Sequence, residues 1–152
     1  MSKNADRATL DKMVAHHRMM AAQLRHRVAR LAGAAEDGYG MQAIGAVHSY
    51  LESEVFPHVR AEERTVFPAA SAGGLSTLVE EMVVEHRHLF AEAEKLAHSE
   101  AEGNALTTAR GIASLFAMHA EKENTSILAP LAGDPHVDLE SLLRGMESML
   151  PS

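Results

Sequence analysis

Four stretches of helical hydrophobic periodicity, each about 25–30 residues long and parted by short glycine-bearing breakers, limit this chain to few architectures. The first runs from about Asp6 to Ala32 and carries Leu10, Met13, Val14, Met20, Leu24, Val28 and Leu31 on one face. Asp37-Gly38, within Gly33 to Gly40, predicts a loop. The second runs from about Met41 to Ala70, with Val47, Leu51, Val66 and Ala69 in line. Pro57 lies inside it, where a proline kinks a helix or loosens one turn. Gly73-Gly74 predicts the next turn, and a third helix starts near Thr77, whose spacing to Glu80 is that of a capping box. It carries Val79, Met82, Val83, Leu89, Phe90, Ala93 and Leu96 and ends near Gly103-Asn104. The fourth runs from about Ala105 to Ala132, with Ile112, Leu115, Phe116 and Ile127, and Gly133-Asp134-Pro135 ends it. A short fifth helix, about Asp138 to Leu150, is expected on the outside.

Helices of this length with short connections pack as antiparallel neighbours. The expected fold is all-α: an antiparallel up-down four-helix bundle with a short extra C-terminal helix, forming one domain over residues 1–152. Apolar residues make up 46% of the chain, drawn mainly from Ala, Leu, Val and Met, which favours helix over strand. A net charge of −7 argues against a nucleic-acid partner and against docking on anionic lipid. With no cysteine there are no disulfides, thiolate sites or cysteine nucleophiles, which fits the expected cytoplasmic location. The N-terminus shows no apolar core of a signal peptide, and no segment reaches the length of a membrane span.

Ten histidines call for a reason. His17 is in register with Leu10, Met13, Met20 and Leu24, and His86 with Val79, Met82, Phe90 and Ala93. His58 and Glu62 are four apart on the face that continues to Val66; His119 and Glu123 repeat the spacing in line with Ile112, Phe116 and Ile127. A lone His/Glu pair at this spacing is usually a surface pair, and a lone inward His is usually hydrogen-bonded core. Six such groups on four core stripes, in an order that repeats, are a different case. Buried carboxylates are costly without a cation. Imidazole suits iron, copper, zinc or nickel, and carboxylate oxygen shifts the choice towards iron or manganese. Tyr50 and Glu54 lie eight and four residues before His58, near the same face, and are candidate extra oxygen ligands. His16 falls on a flank, His26, His48 and His98 on surface or edge positions, and His136 in a turn. Met19, Met20, Met82 and Met118 read as core filling.

The segment from Glu54 to Ala70 resembles the second-helix signature of hemerythrin HHE cation-binding domains, and His119 to Leu131 resembles its fourth-helix counterpart. His17-Arg18 and Glu85-His86-Arg87 are similar to the family's lone-histidine helices. The resemblance implies a bundle around a non-haem di-iron centre with an oxo or hydroxo bridge, zinc or manganese being the lesser alternatives. It carries metal ligation onto His17, His58, Glu62, His86, His119 and Glu123, with Glu62 and Glu123 bridging. Oxygen carriers of the family have a further histidine one turn after the lone one on the third helix; here that position is Phe90, and His88 lies on the outer face. The implied activity is therefore an oxidoreductase acting on hydrogen peroxide, nitric oxide or both, with an unidentified electron donor and a pocket lined by Phe90, Ile112, Leu115 and Phe116. The alternatives are reversible oxygen or nitric oxide binding, iron sensing, or a structural bundle holding zinc or no metal.

Overall fold

The computed structural model describes residues 3–36, 38–99 and 102–151, and among these every regular element is helical. The first run is one helix, α1 (Lys3–Glu36). The second is broken into α2 (Gly40–Tyr50), a wide π turn (Leu51–Val55), α3 (Phe56–Arg64) and α4 (Val66–Ala70). A second π turn (Ser71–Leu75) leads into α5 (Ser76–Ala97). The fourth run comprises α6 (Glu102–Glu123), a third π turn (Asn124–Leu128) and α7 (Ala129–Gly133). The last helix is α8 (Leu139–Met149). No described helix is long and apolar enough to cross a membrane.

Two of the π turns sit just before prolines. Pro57 and Pro130 have no N–H, so the helix loses a bond one turn upstream. The chain widens there: the Phe56 N–H bonds the Leu51 carbonyl and the Ala129 N–H bonds the Asn124 carbonyl, each five residues back. Pro57 thus loosens one turn, as its position predicts. An extra residue in a turn rotates one side of the helix against the other by about 100°. The second run therefore does not carry one continuous stripe. Thr65 (φ −125°, ψ −69°) breaks it again, its hydroxyl donating to the Ala61 carbonyl at 2.7 Å.

Three boundary expectations are corrected, the first being the end of the third helix, which stops at Ala97 so that Gly103-Asn104 lie within α6. Gly74 takes φ +92°, a left-handed conformation that glycine adopts at least cost, and α5 begins at Ser76 with Leu75 in the capping position and no side-chain cap. Thr77 is already inside the helix, so its capping box with Glu80 does not form. At the other end, α1 runs on past Gly33 to Glu36.

The α1 helix packs against α2, α6 and α8, and α5 packs against α6. The apolar core is split in two. One part gathers Met20, Leu24, Val47, Leu51, Leu89, Leu96, Ile112 and Phe116; the other gathers Met13, Val66, Phe67, Met82, Ile127 and Leu131. Leu139 and Met146 of α8 are buried in that second part, so α8 completes a core. Asp138 caps it, its carboxylate accepting from the Ser141 N–H at 3.1 Å. Met20 and Met82 fill the core, but Met19 and Met118 are 51% and 71% exposed. Met118 adjoins the inward-facing His119, and one residue along a helix turns a side chain about 100° away.

Candidate metal centre

The two cores are divided by a polar layer. On α1, His17 falls between Met13 of one core and Met20 of the other; on α5, His86 falls between Met82 and Leu89. With His58 and Glu62 from α3, and His119 and Glu123 from α6, these groups are each 5% exposed or less. The structure thus brings together all six residues placed on the inward stripes. They form two groups, His17 with His58 and Glu62, and His86 with His119 and Glu123, each with ligand atoms within 4.8 Å of one another.

Within each group two imidazoles meet edge to edge. Nε2 of His17 lies 2.9 Å from Nε2 of His58, and Nε2 of His86 lies 2.9 Å from Nε2 of His119. The carboxylates span the groups. Glu62 sets Oε2 at 3.3 Å from both His17 and His58, and Oε1 at 3.9 Å from His86. Glu123 sets Oε2 at 3.5 Å from His119 and Oε1 at 3.9 Å from His17. Among the described residues, both buried Glu123 oxygens lack a hydrogen-bond donor. Four inward imidazole nitrogens and two buried carboxyl groups, one of them without a donor, fit cations held between them.

Three of the four rings are held from behind. Nδ1 of His17 pairs with Asn124 Oδ1 at 2.6 Å, that of His86 with Glu63 at 3.2 Å, and that of His119 with Glu85 at 2.8 Å. Such partners fix the ring orientation and leave Nε2 free for a metal. Lys122 in turn holds Glu85 at 3.2 Å. Phe67 stacks on the His86 ring at 5.3 Å. Asn124 and Glu85 were not singled out from the sequence. Their only signal there is adjacency to Glu123 and His86.

Charge is crowded here. Burial alone would raise the Glu62 carboxyl, but His58, Glu123 and His17 together hold it well below the usual range. Glu123 is pushed up to about 8, by burial and then by the Glu62 carboxylate beside it. Burial opposes charging of His17, but Glu123 and Glu62 outweigh it and raise the ring to about 9. His119 is raised on the same pattern by Glu123 and Glu62, while burial lowers His86. Near neutral pH the layer therefore stores protons where cations would relieve the same repulsion.

Tyr50 and Glu54 are not brought into either group. Tyr50 is buried in the core beyond the first π turn with the Arg27 guanidinium 4.2 Å from its ring centroid, and burial raises its hydroxyl. Glu54 is exposed. The π turn, which contains Glu54 and follows Tyr50, removes the face they would share with His58 in a regular helix. His16 is half-buried, its ring 5.1 Å from that of His58. Phe90 packs on Phe56 at 4.4 Å and, with Ile112, Leu115 and Phe116, belongs to packed core. His88 faces outwards at 3.5 Å from Glu92. His26, His98 and His136 are exposed and His48 is at an edge, as expected.

A model of the family described as hemerythrin HHE cation binding domain matches residues 8–132. Comparison with curated proteins and with solved structures gives no match.

Proposed function

Because the chain belongs to the hemerythrin HHE cation-binding family, we propose that its two His/Glu groups hold a non-haem di-iron centre that consumes hydrogen peroxide, nitric oxide or both. The observation that carries this reading is the span of Glu62 and Glu123, each with one oxygen towards each histidine pair. Two carboxylates so placed are suited to bridging, with His17 and His58 on one iron and His86 and His119 on the other. Carboxylate and imidazole together favour iron or manganese over softer choices. When bound, the irons supply Lewis acidity and redox chemistry to a small ligand.

The chain's own contribution is geometry and dryness. Asn124, Glu63 and Glu85 orient three rings, and the two cores on either side exclude water. No further nitrogen is offered from the α5 position held by Phe90, which supports reaction over plain oxygen carriage. Peroxide disproportionation balances without another reactant: two peroxides give two waters and one dioxygen. Reduction of nitric oxide needs a separate electron donor. The same reading takes residues 1–152 as one domain and the four helical runs as an antiparallel up-down bundle.

The test is elemental analysis with the visible spectrum of the purified protein, followed by peroxide and nitric oxide consumption. Two irons per chain and turnover of either substrate are expected. Full iron without turnover would leave a binding or sensing module, and zinc without iron would overturn the redox reading.

A further inference from the structure

Well away from the metal centre, α1 and the start of α2 enclose a cavity of about 520 Å³. Gln23, Arg27 and Arg30 line it from α1, and Tyr39 and Gln42 from the α2 side. The Arg27 guanidinium is fixed in advance. It lies 4.2 Å from the centroid of the buried Tyr50 ring, and its Nη1 donates to the Gln23 carbonyl at 3.2 Å and to Gln23 Oε1 at 2.9 Å. Its Nε and Nη2 N–H groups have no acceptor among the described residues. Arg30, one turn further along the same face, has no hydrogen bond or ion pair among the described residues. Arg25 and Arg110 line the adjoining cavity and are likewise without a carboxylate partner there. A chain of net charge −7 thus gathers unpaired arginines around one hollow. At its edge Tyr39 is 62% exposed, its backbone N–H tied to the Ala34 carbonyl at 2.9 Å.

We propose that this cavity binds a mononucleotide, with the phosphate held by Arg27 and Arg30 and the base laid on the Tyr39 ring. Guanidinium groups present paired N–H donors that match phosphate oxygens. One that is already stacked and hydrogen-bonded loses little freedom on binding. Two cations one turn apart repel each other, and a doubly charged phosphate relieves that repulsion. An exposed aromatic face takes a planar base, and the side-chain amides of Gln23 and Gln42 offer hydrogen bonds to its edge. The volume lies within the range of small-molecule sites and admits phosphate, sugar and base together. A free phosphate would leave most of it to water. The site goes beyond the di-iron reading and does not depend on it.

The test is calorimetry on the purified protein with AMP, GMP, CMP and UMP, and with ribose phosphate, inorganic phosphate and adenosine as controls. Saturable binding of at least one mononucleotide is expected, about tenfold tighter than ribose phosphate because the base stacks. Arg30→Gln should weaken it about tenfold through loss of a charged hydrogen bond. Tyr39→Ala should reduce it to the affinity of ribose phosphate. Both side chains are exposed, and circular dichroism checks the fold of each variant. No saturable binding of any of the four nucleotides would overturn the proposal. So would adenosine or either phosphate control binding as tightly as the nucleotide, or unchanged affinity in either variant. The titration is repeated on chelated protein, where binding that disappears with the metal would move the nucleotide to the metal centre and overturn the site. Iron-free protein that still binds a nucleotide sinks only the redox reading.

Discussion

Glu85 and Asn124 belong to neither His/Glu group, yet each holds a ring of one from behind. Outer partners of this kind typically change metal affinity by about 10–100-fold. Glu85→Ala and Asn124→Ala are therefore expected to weaken metal retention by that order in chelator competition, with far-UV circular dichroism unchanged. Glu85 suits the task because, although burial opposes it, His119 and Lys122 hold its carboxyl below the ordinary range, so it stays an acceptor. The sign of the pH dependence follows from two raised groups. His17 moves from 6.5 to about 9 and Glu123 from 4.5 to about 8 on folding. The native metal-free protein thus binds more protons than the unfolded chain across this range. The contribution from His17 is complete below pH 6.5 and is lost as pH rises through about 9. Thermal melts of chelated protein should show lower stability at pH 9 than at pH 6.5. Metal binding must displace these protons, so its affinity should rise over the same window.

Among the elements, the breaks matter as much as the helices. The π turns before Pro57 and Pro130 let long runs carry prolines while still delivering the His58–Glu62 and His119–Glu123 pairs to one layer. Gly74, at φ +92°, makes the turn into α5. Gly74→Ala is expected to cost about 1–2 kcal/mol, because an L side chain is strained there. Gly45 lies within α2 with open space around it. Gly45→Ala should instead stabilise by about 0.5–1 kcal/mol through helix propensity. Opposite shifts in denaturation midpoint would bear this out; equal shifts would mean the turn is unstrained. At the N-terminal end, buried Asp6 accepts from Lys3 at 2.9 Å and from the Glu140 N–H at 3.4 Å, tying α1 to α8. Burial alone would raise its carboxyl, but these donors hold it low.

Over the whole molecule, a polar layer interrupts the core, so cohesion depends on what fills that layer. Unpaired buried carboxylates destabilise, and a cation bound only by the native state stabilises by mass action. Removing the metal with a chelator is expected to lower the melting temperature by on the order of 10 °C without loss of helix at room temperature. A melting temperature indifferent to chelation would mean that the layer is stable on protons alone, and the metal reading would fall. Much of this arrangement was legible beforehand, because a polar residue repeating within a helical apolar stripe marks an inward polar site whatever the partner helix. Tyr50 and Glu54 were misaligned because periodicity assumes an unbroken helix, and the π turn breaks it.

The sequence by itself determined the helical class, the four runs, the inward register of His17, His58, Glu62, His86, His119 and Glu123, and the outward register of His88. Each depends on spacing within one helix, which local periodicity records. Tertiary structure alone decided that Glu62 and Glu123 span both histidine pairs and that Asn124, Glu63 and Glu85 hold three rings. Those are distances between side chains far apart in the chain. No single helix specifies them, because they depend on how the helices turn and pack against one another.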